Sequence, residues 1–190
     1  ILVRLISGKF TVKCMAYTVI IILCFSITNL MVLFDFSQNT DLSEWTILND
    51  VVMGGKSRSA LTIDTDGNGL FKGAVSLENN GGFCSVRRSF NKIPAKDFKK
   101  IVFRIKGDGK TYQARIKANK NDYYSYIAYF ETTGEWQTVE IALADMYPSF
   151  RGRRLNQPNF NNDSIEEIAF LIGNKKAETF QLRIDKIMLK

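Results

Sequence analysis

Apolar and polar residues alternate along most of the chain after residue 36, in short runs that glycine-rich turns separate. Ile101, Phe103 and Ile105, for example, occupy every second position of one run, which is the period of a β-strand with one buried face. Further strands are predicted over residues 31–36, 60–63, 70–77, 83–90, 112–117, 123–130, 136–142, 165–172 and 180–189. About ten strands and no convincing amphipathic helix predict an all-β fold, a β-sandwich or jelly roll.

Residues 107–110, Gly-Asp-Gly-Lys, predict a turn between two of these strands, and we expect a hairpin in which Lys106 pairs with Thr111. In that hairpin Arg104 and Arg115 share the face opposite the core. One interpretation is the solvated side of an antiparallel sheet. The other is a concave binding face, because arginine together with aromatic residues is typical of recognition surfaces. Gln113 and Lys117 share this face with the arginines, and Tyr123, Tyr124 or Tyr126 would complete it.

Two loops combine amide and carboxylate side chains with paired glycines. Residues 49–57 read NDVVMGGKS, and residues 78–83 read ENNGGF. Glycine pairs serve tight turns that need positive φ. Carboxylate and amide groups beside exposed backbone can also hydrogen-bond sugar hydroxyls or a partner's main chain. Two such loops in one small domain suggest a built binding site.

A metal site or an enzyme active site would have to be built from carboxylates, because the chain has no histidine. Residues 64–69, DTDGNG, begin like a calcium loop, but Val75 stands where the last ligand of that motif should be glutamate, so we interpret the segment as a turn. Glycoside hydrolysis needs only a pair of acids. Asp50, Glu78 and Asp108 lie beside glycines, yet the sequence does not give their separations. We expect no metal and no catalysis.

A short basic loop follows Tyr147 and Pro148. It reads FRGRR over residues 150–154. A solvated turn explains it, but a guanidinium beside glycine can also bind a carboxylate or phosphate through two hydrogen bonds. Arg151 is therefore a candidate contact for an acidic partner.

The N-terminal part carries no charge over the 21 residues 14–34, and Arg4, Lys9 and Lys13 precede it. This pattern is typical of a signal peptide or a membrane anchor. Because residues 31–36 are also needed as a strand, we assign residues 1–30 to that segment and predict its removal near residues 26–30. Retention as a short anchor is the alternative, and it would associate the protein with a membrane.

The composition excludes several function classes. The chain has no histidine, so histidine-dependent acyl transfer and histidine-ligated metals are excluded. Its three cysteines lack the CxxC spacing of zinc and redox sites. The net charge of +7 is spread along the chain without an Arg/Lys cluster, which does not favour nucleic-acid binding. No cofactor is implied.

The chain resembles the NADH:ubiquinone oxidoreductase complex I intermediate-associated protein 30 family from about residue 34 to residue 190. The resemblance is carried by Trp45 and by the segments NDVVMGGKS (49–57), FKG (71–73), ENNGGF (78–83), RIKGDGKTY (104–112), EW (135–136) and FRG (150–152). It implies a galactose-binding-like β-sandwich and a non-catalytic protein that binds other polypeptides. Mitochondrial members of the family are assembly chaperones for the membrane arm of complex I. The export-like N-terminus favours a bacterial relative in the periplasm or cell envelope.

The sequence therefore predicts a binding protein of the assembly-factor or chaperone type, with a protein as its partner. An exported carbohydrate-binding module that uses the same loops for a glycan is the alternative. The predicted binding residues are Asn49, Asp50, Met53, Gly54, Gly55, Glu78, Asn79, Asn80, Gly81, Gly82, Arg104, Asp108, Arg115 and Arg151.

Overall fold

A computed structural model describes residues 29–190 of the chain, and these residues form thirteen strands. The strands are β1 (Met31–Asp35), β2 (Trp45–Asn49), β3 (Arg58–Ile63), β4 (Gly69–Val75), β5 (Cys84–Pro94), β6 (Lys100–Lys106), β7 (Thr111–Lys117), β8 (Ser125–Glu131), β9 (Trp136–Ala142), β10 (Tyr147–Phe150), β11 (Arg153–Arg154), β12 (Ser164–Ile172) and β13 (Glu178–Leu189). Short 3₁₀ turns lie at Asp50–Met53, Glu78–Asn80 and Leu143–Asp145. The predicted all-β fold is confirmed.

The strands form two antiparallel sheets. The first sheet has the order β3-β4-β13-β6-β9, with β1 also paired to β13, and the second has the order β11-β10-β8-β7-β12-β5-β2. Alternate residues of both sheets point inward. Phe103 of the first sheet meets Phe170 of the second with ring centroids 5.0 Å apart, and both side chains are fully buried. The core of the predicted sandwich therefore lies between the two sheets.

The predicted hairpin between β6 and β7 is wrong, because the two strands lie in different sheets. Both edges of each strand are taken by other partners: β6 pairs with β13 and β9, and β7 pairs with β12 and β8. Residues 107–110 cross from one sheet to the other. Thr132 fixes this crossing, since its Oγ1 accepts the backbone N–H groups of Gly109 and Lys110, both at 3.1 Å. A glycine turn can thus connect two layers as well as two neighbouring strands.

Two short strands at the edge of the second sheet, β10 and β11, carry no alternating apolar signal, and the sequence pattern did not predict them. They extend the sheet beyond β8 and place residues 150–152 above its outer face.

Within residues 29–190, no helix is long and apolar enough to cross a membrane. The predicted signal peptide or anchor falls almost entirely outside the described residues.

Candidate binding groove

A groove of about 470 Å³ runs over the outer face of the second sheet. The register between neighbouring strands determines which side chains form its floor. Arg87 of β5 stands opposite Ala169 of β12, and Ala169 stands opposite Arg115 of β7. Two residues further along β12 and β7, Leu171 stands opposite Gln113, and Gln113 stands opposite Tyr129 of β8. Because side chains alternate between the faces of a strand, all of these outward residues meet on one surface.

Most of the rim of the groove is apolar and comes from loops and from the end of β10. Val52 and Met53 lie in the 3₁₀ turn after β2, Tyr123 precedes β8, and Phe150 ends β10. Val52, Met53 and Tyr123 are 68%, 56% and 62% exposed. The Tyr123 and Phe150 rings meet edge to face, with centroids 5.2 Å apart. Several large exposed apolar side chains around one depression are typical of a binding site.

Charged side chains occupy the floor. The guanidinium of Arg115 donates from Nη1 to Gln113 Oε1 at 2.9 Å. Burial of this guanidinium lowers the pKa of Arg115 below its usual range, although the nearby Tyr129 and Glu167 act in the opposite direction. Lys117 Nζ donates to the backbone oxygen of Asp122 at 2.7 Å. The floor therefore presents cations that the sheet holds in place.

The two glycine loops meet at a buried carboxylate beside the groove. Asp50 is fully buried, and its carboxylate accepts the backbone N–H groups of Ser57 at 2.9 Å, Gly82 at 2.6 Å and Phe83 at 3.2 Å. It also accepts the hydroxyl of Ser57. Burial alone would raise the pKa of Asp50, but these hydrogen bonds outweigh it and hold the pKa below its ordinary value. The structure thus places Asp50 in the scaffold, where a ligand does not reach it.

Two of the predicted glycines serve this carboxylate directly. A Cβ atom on Gly55 would lie 2.3 Å from Asp50 Oδ1, and one on Gly81 would lie 2.6 Å from Asp50 Oδ2. Gly54 has the left-handed φ of 89° that ends the 3₁₀ turn after β2. These glycines shape the two loops around Asp50.

The amide side chains of the loops are also used within the protein. Asn49 Oδ1 accepts the hydroxyl of Ser59 at 2.7 Å, and Asn79 Nδ2 donates to the Gly54 oxygen at 3.1 Å. Asn79 and Asn80 have φ values of 54° and 58°, and Glu78 pairs with Lys56. Met53 and Gly82 are the predicted residues of these loops that line the groove.

Arg104 and Arg115 do not share a face, contrary to the expectation from the hairpin. Arg104 lies on the first sheet, where its Nε is 2.8 Å from Asp185 Oδ2 and its guanidinium covers the Trp136 ring. Asp108, in the crossing between the sheets, accepts the Tyr112 hydroxyl at 2.9 Å and the Gln181 N–H at 3.0 Å. Both residues lie outside the groove because β6 and β7 belong to different layers.

Arg115 and Arg151 line the groove, as do residues that the sequence did not single out. Arg87 and Glu167 alternate outward on β5 and β12, so the period-two pattern contains them. Their importance depends on which strands become neighbours, and that order is not visible in the pattern. Val52, in the 3₁₀ turn after β2, and Tyr129, in β8, read as ordinary apolar positions in the sequence.

The loop over residues 64–69 is a turn, as interpreted. Asp64 Oδ1 accepts the backbone N–H groups of Asp66 at 3.0 Å and Asn68 at 2.9 Å. Asp64 Oδ2 lies 3.2 Å from Arg183 Nε. The carboxylate of Asp64 is therefore used to close the turn and to bind β13.

The family model of Complex I intermediate-associated protein 30 matches residues 34–184. Two relatives are mitochondrial Complex I intermediate-associated protein 30 of Drosophila melanogaster, 27% identical over 84% of this chain, and that of Mus musculus, 27% identical over 82% of it. The alignments cover 62% and 55% of the relatives' own lengths. 

Among solved structures, the fold is similar to the family 11 carbohydrate-binding module from Clostridium thermocellum in complex with a β-1,3-1,4-mixed-linked tetrasaccharide. The TM-score is 0.62 at 18% identity, over 84% of this chain and 94% of the module. This likeness is one of fold, and it agrees with the two-sheet arrangement described above.

Proposed function

The chain belongs to the Complex I intermediate-associated protein 30 family, and we propose that it is a non-catalytic binding protein of the assembly-factor type that holds a segment of a partner polypeptide in the groove. The name of the two relatives associates them with an intermediate of complex I. Identification of the captured partner shows whether it is a subunit of that complex.

The clustering of exposed apolar side chains at one groove is the observation that carries this proposal. Val52, Met53, Tyr123, Tyr129 and Phe150 are exposed large apolar residues, and all five line the groove. Aromatic residues, methionine and arginine are enriched in protein interfaces. The groove combines all three.

The non-catalytic part of the proposal is supported by the way the candidate reactive groups are used. The Asp50 and Asp108 carboxylates accept hydrogen bonds from neighbouring protein groups, and Glu78 is paired with Lys56. Cys84 is fully buried, and this burial raises the pKa of its thiol to about 11. A thiol of that kind is a poor nucleophile at neutral pH.

Export to the bacterial periplasm or cell envelope remains our proposal for the location, and it rests on the uncharged residues 14–34. N-terminal sequencing of the mature protein tests it. A start between Ile27 and Met31 is the expected result, and an intact Met15 terminus in the membrane fraction would contradict cleavage.

A glycan is the second candidate ligand, favoured by the solved structure of similar fold that holds a tetrasaccharide. In the groove, Gln113 Nε2 donates to the Tyr129 hydroxyl at 3.2 Å, so polar groups lie beside an exposed ring. Such a combination can also bind sugars. The apolar rim nevertheless favours a polypeptide.

Affinity purification from detergent-solubilised membranes of the source cells tests the proposed function. We expect the wild-type chain to capture one set of partner proteins, and the double variant Tyr123→Ala/Phe150→Ala to capture none of them. Val32→Ala, at an exposed apolar position away from the groove, is the matched control and should retain the partner. A glycan array with the same three proteins separates the two ligand classes. Groove-dependent glycan binding without a protein partner would contradict the proposal.

A further inference from the structure

The charged side chains that line the groove are unbalanced. Arg87, Arg115, Lys117 and Arg151 are cationic, and Glu167 is the acidic residue among them. The Glu167 carboxylate oxygens lie 3.9 Å from Lys117 Nζ and 4.0 Å from Arg87 Nη1, which is beyond hydrogen-bond distance. One carboxylate is therefore shared between two cations, and the groove keeps a surplus of positive charge.

Arg115 stands at the centre of this surplus. It lies between Ala169 and Ile127 in the strand register, with apolar neighbours on both sides. Among the residues that the structure describes, no carboxylate lies within 4.0 Å of its guanidinium. A half-buried cation with no carboxylate in direct contact is costly. A ligand carboxylate could bind it through two parallel hydrogen bonds, and water would be displaced in the process.

The side chains around Arg115 also restrict which kind of ligand supplies the carboxylate. Leu48, Phe83 and Leu171 line one part of the groove, and Tyr123 and Phe150 line another. A small inorganic anion would leave these apolar surfaces in water. In an extended peptide, side chains on one side repeat every two residues, about 7 Å apart. When an acidic residue of such a peptide binds Arg115, apolar side chains two residues before and after it in the peptide would reach both parts of the groove.

We propose that the groove selects an extended peptide segment in which an aspartate or glutamate lies within two residues of large apolar side chains, with the acidic carboxylate bound to Arg115. This inference rests on the proposed function and names the chemistry of the partner segment. Charge complementarity identifies the occupant: a neutral apolar peptide would leave the surplus charge of the floor unmatched.

Selection of a random heptapeptide library displayed on phage against the immobilised full chain tests this proposal. We expect the wild-type pool to be enriched in Asp or Glu near aromatic or aliphatic residues. Arg115→Gln should lose the acidic enrichment and retain the apolar one. Arg104→Gln, an arginine on the other sheet, is the matched control and should give the wild-type pool. Circular dichroism melts verify that each variant is folded, and Arg151→Gln at the exposed rim provides a second variant with a smaller expected loss of acidic enrichment.

A peptide from the wild-type pool then gives a quantitative cycle. Its Glu→Gln or Asp→Asn analogue should bind the wild-type chain at least tenfold more weakly, and should bind Arg115→Gln as weakly as the parent peptide does. Increasing NaCl from 0.1 to 0.5 M should weaken the parent peptide more than the neutral analogue.

The outcomes separate this inference from the proposed function. Enrichment of apolar residues without acidic ones would overturn the inference and leave groove-dependent protein binding in place. No enrichment, or selected peptides that bind Tyr123→Ala/Phe150→Ala as well as the wild type, would contradict both. Arg115-dependent binding of acidic glycans without selected peptides would also overturn the peptide assignment.

Discussion

The Asp50 carboxylate accepts the backbone N–H of Gly82 with an oxygen-to-nitrogen distance of 2.6 Å. Asp50 follows β2 and Gly82 precedes β5, so one side chain joins two loops that border the groove. The neighbouring Met53 and Phe83 line the groove directly. The position of this part of the rim therefore depends on a buried charge.

Asp50→Asn should lower the free energy of unfolding by about 3 kcal/mol, the scale of buried donors left unsatisfied. The amide keeps one acceptor oxygen, but it loses the charge and sets an NH₂ group against backbone donors that are then left unsatisfied. Chemical denaturation at pH 7 measures the effect. Asp66→Asn, at an exposed position in the turn at residues 64–69, is the control and should unfold like the wild type. Equal stability of Asp50→Asn and the wild type would contradict this account of the loops.

The contribution of Asp50 should also depend on pH. Its pKa is lowered in the folded protein, because hydrogen bonds outweigh the opposing effect of burial. A lowered folded pKa stabilises the protein above the unfolded pKa of about 3.9, and this stabilisation is lost as the pH falls through the folded value. The difference in melting temperature between wild type and Asp50→Asn should therefore shrink below about pH 4. A difference that stays constant from pH 7 to pH 2 would show that the charge of Asp50 is not what binds the loops.

Gly81→Ala should destabilise the domain by crowding, since the backbone of Gly81 has an ordinary φ of −69°. The added methyl would lie 2.6 Å from Asp50 Oδ2 and 2.9 Å from the Ser76 oxygen. We expect a cost of about 1 to 3 kcal/mol. The cost should be smaller in an Asp50→Ala background, because that change removes the nearest group. Gly134→Ala, where no atom lies within 4 Å but φ is 85°, has a backbone cost of its own that should add independently to Asp50→Ala. Full additivity of Gly81→Ala with Asp50→Ala would refute the contact.

The fold was predictable because most strands have one face in the core. Trp136–Ala142 and Ser164–Ile172 match their predicted ranges to within a residue.

The groove was predictable only in part. Arg115 is predicted to point away from the core and it lines the groove, whereas the hairpin that would put Arg104 on the same face does not form. Period-two alternation states which way a side chain points within a strand; it does not state which sheet the strand joins. Likewise, Asp50 reads as a polar loop residue, and its burial depends on the remote N–H groups of residues 82 and 83.

The Glu140 carboxyl should titrate with an unusually low pKa. Hydrogen bonds from Lys100 Nζ at 2.7 Å and Lys190 Nζ at 2.8 Å lower the pKa of Glu140 to about 2. Nuclear magnetic resonance of the side-chain carboxyl carbon measures it, and the pKa should rise in Lys100→Gln and in 1 M NaCl. Because the folded pKa is depressed, the stabilising effect of this group disappears as the pH falls through that value. A pKa near the unperturbed value of about 4.3 would contradict the two ion pairs.

Site-specific photocrosslinking tests the central claim, that the partner binds the outer face of the second sheet. Benzoylphenylalanine at position 123 or 150 places the reactive group on the groove rim. The same residue at Lys72 or Thr138, both exposed on the first sheet, provides the comparison. After irradiation of cells that express each variant, mass spectrometry identifies the crosslinked peptides. The account predicts that positions 123 and 150 give adducts with neighbouring residues of one polypeptide, and that positions 72 and 138 do not. Adducts of equal or greater yield from positions 72 and 138 would contradict it.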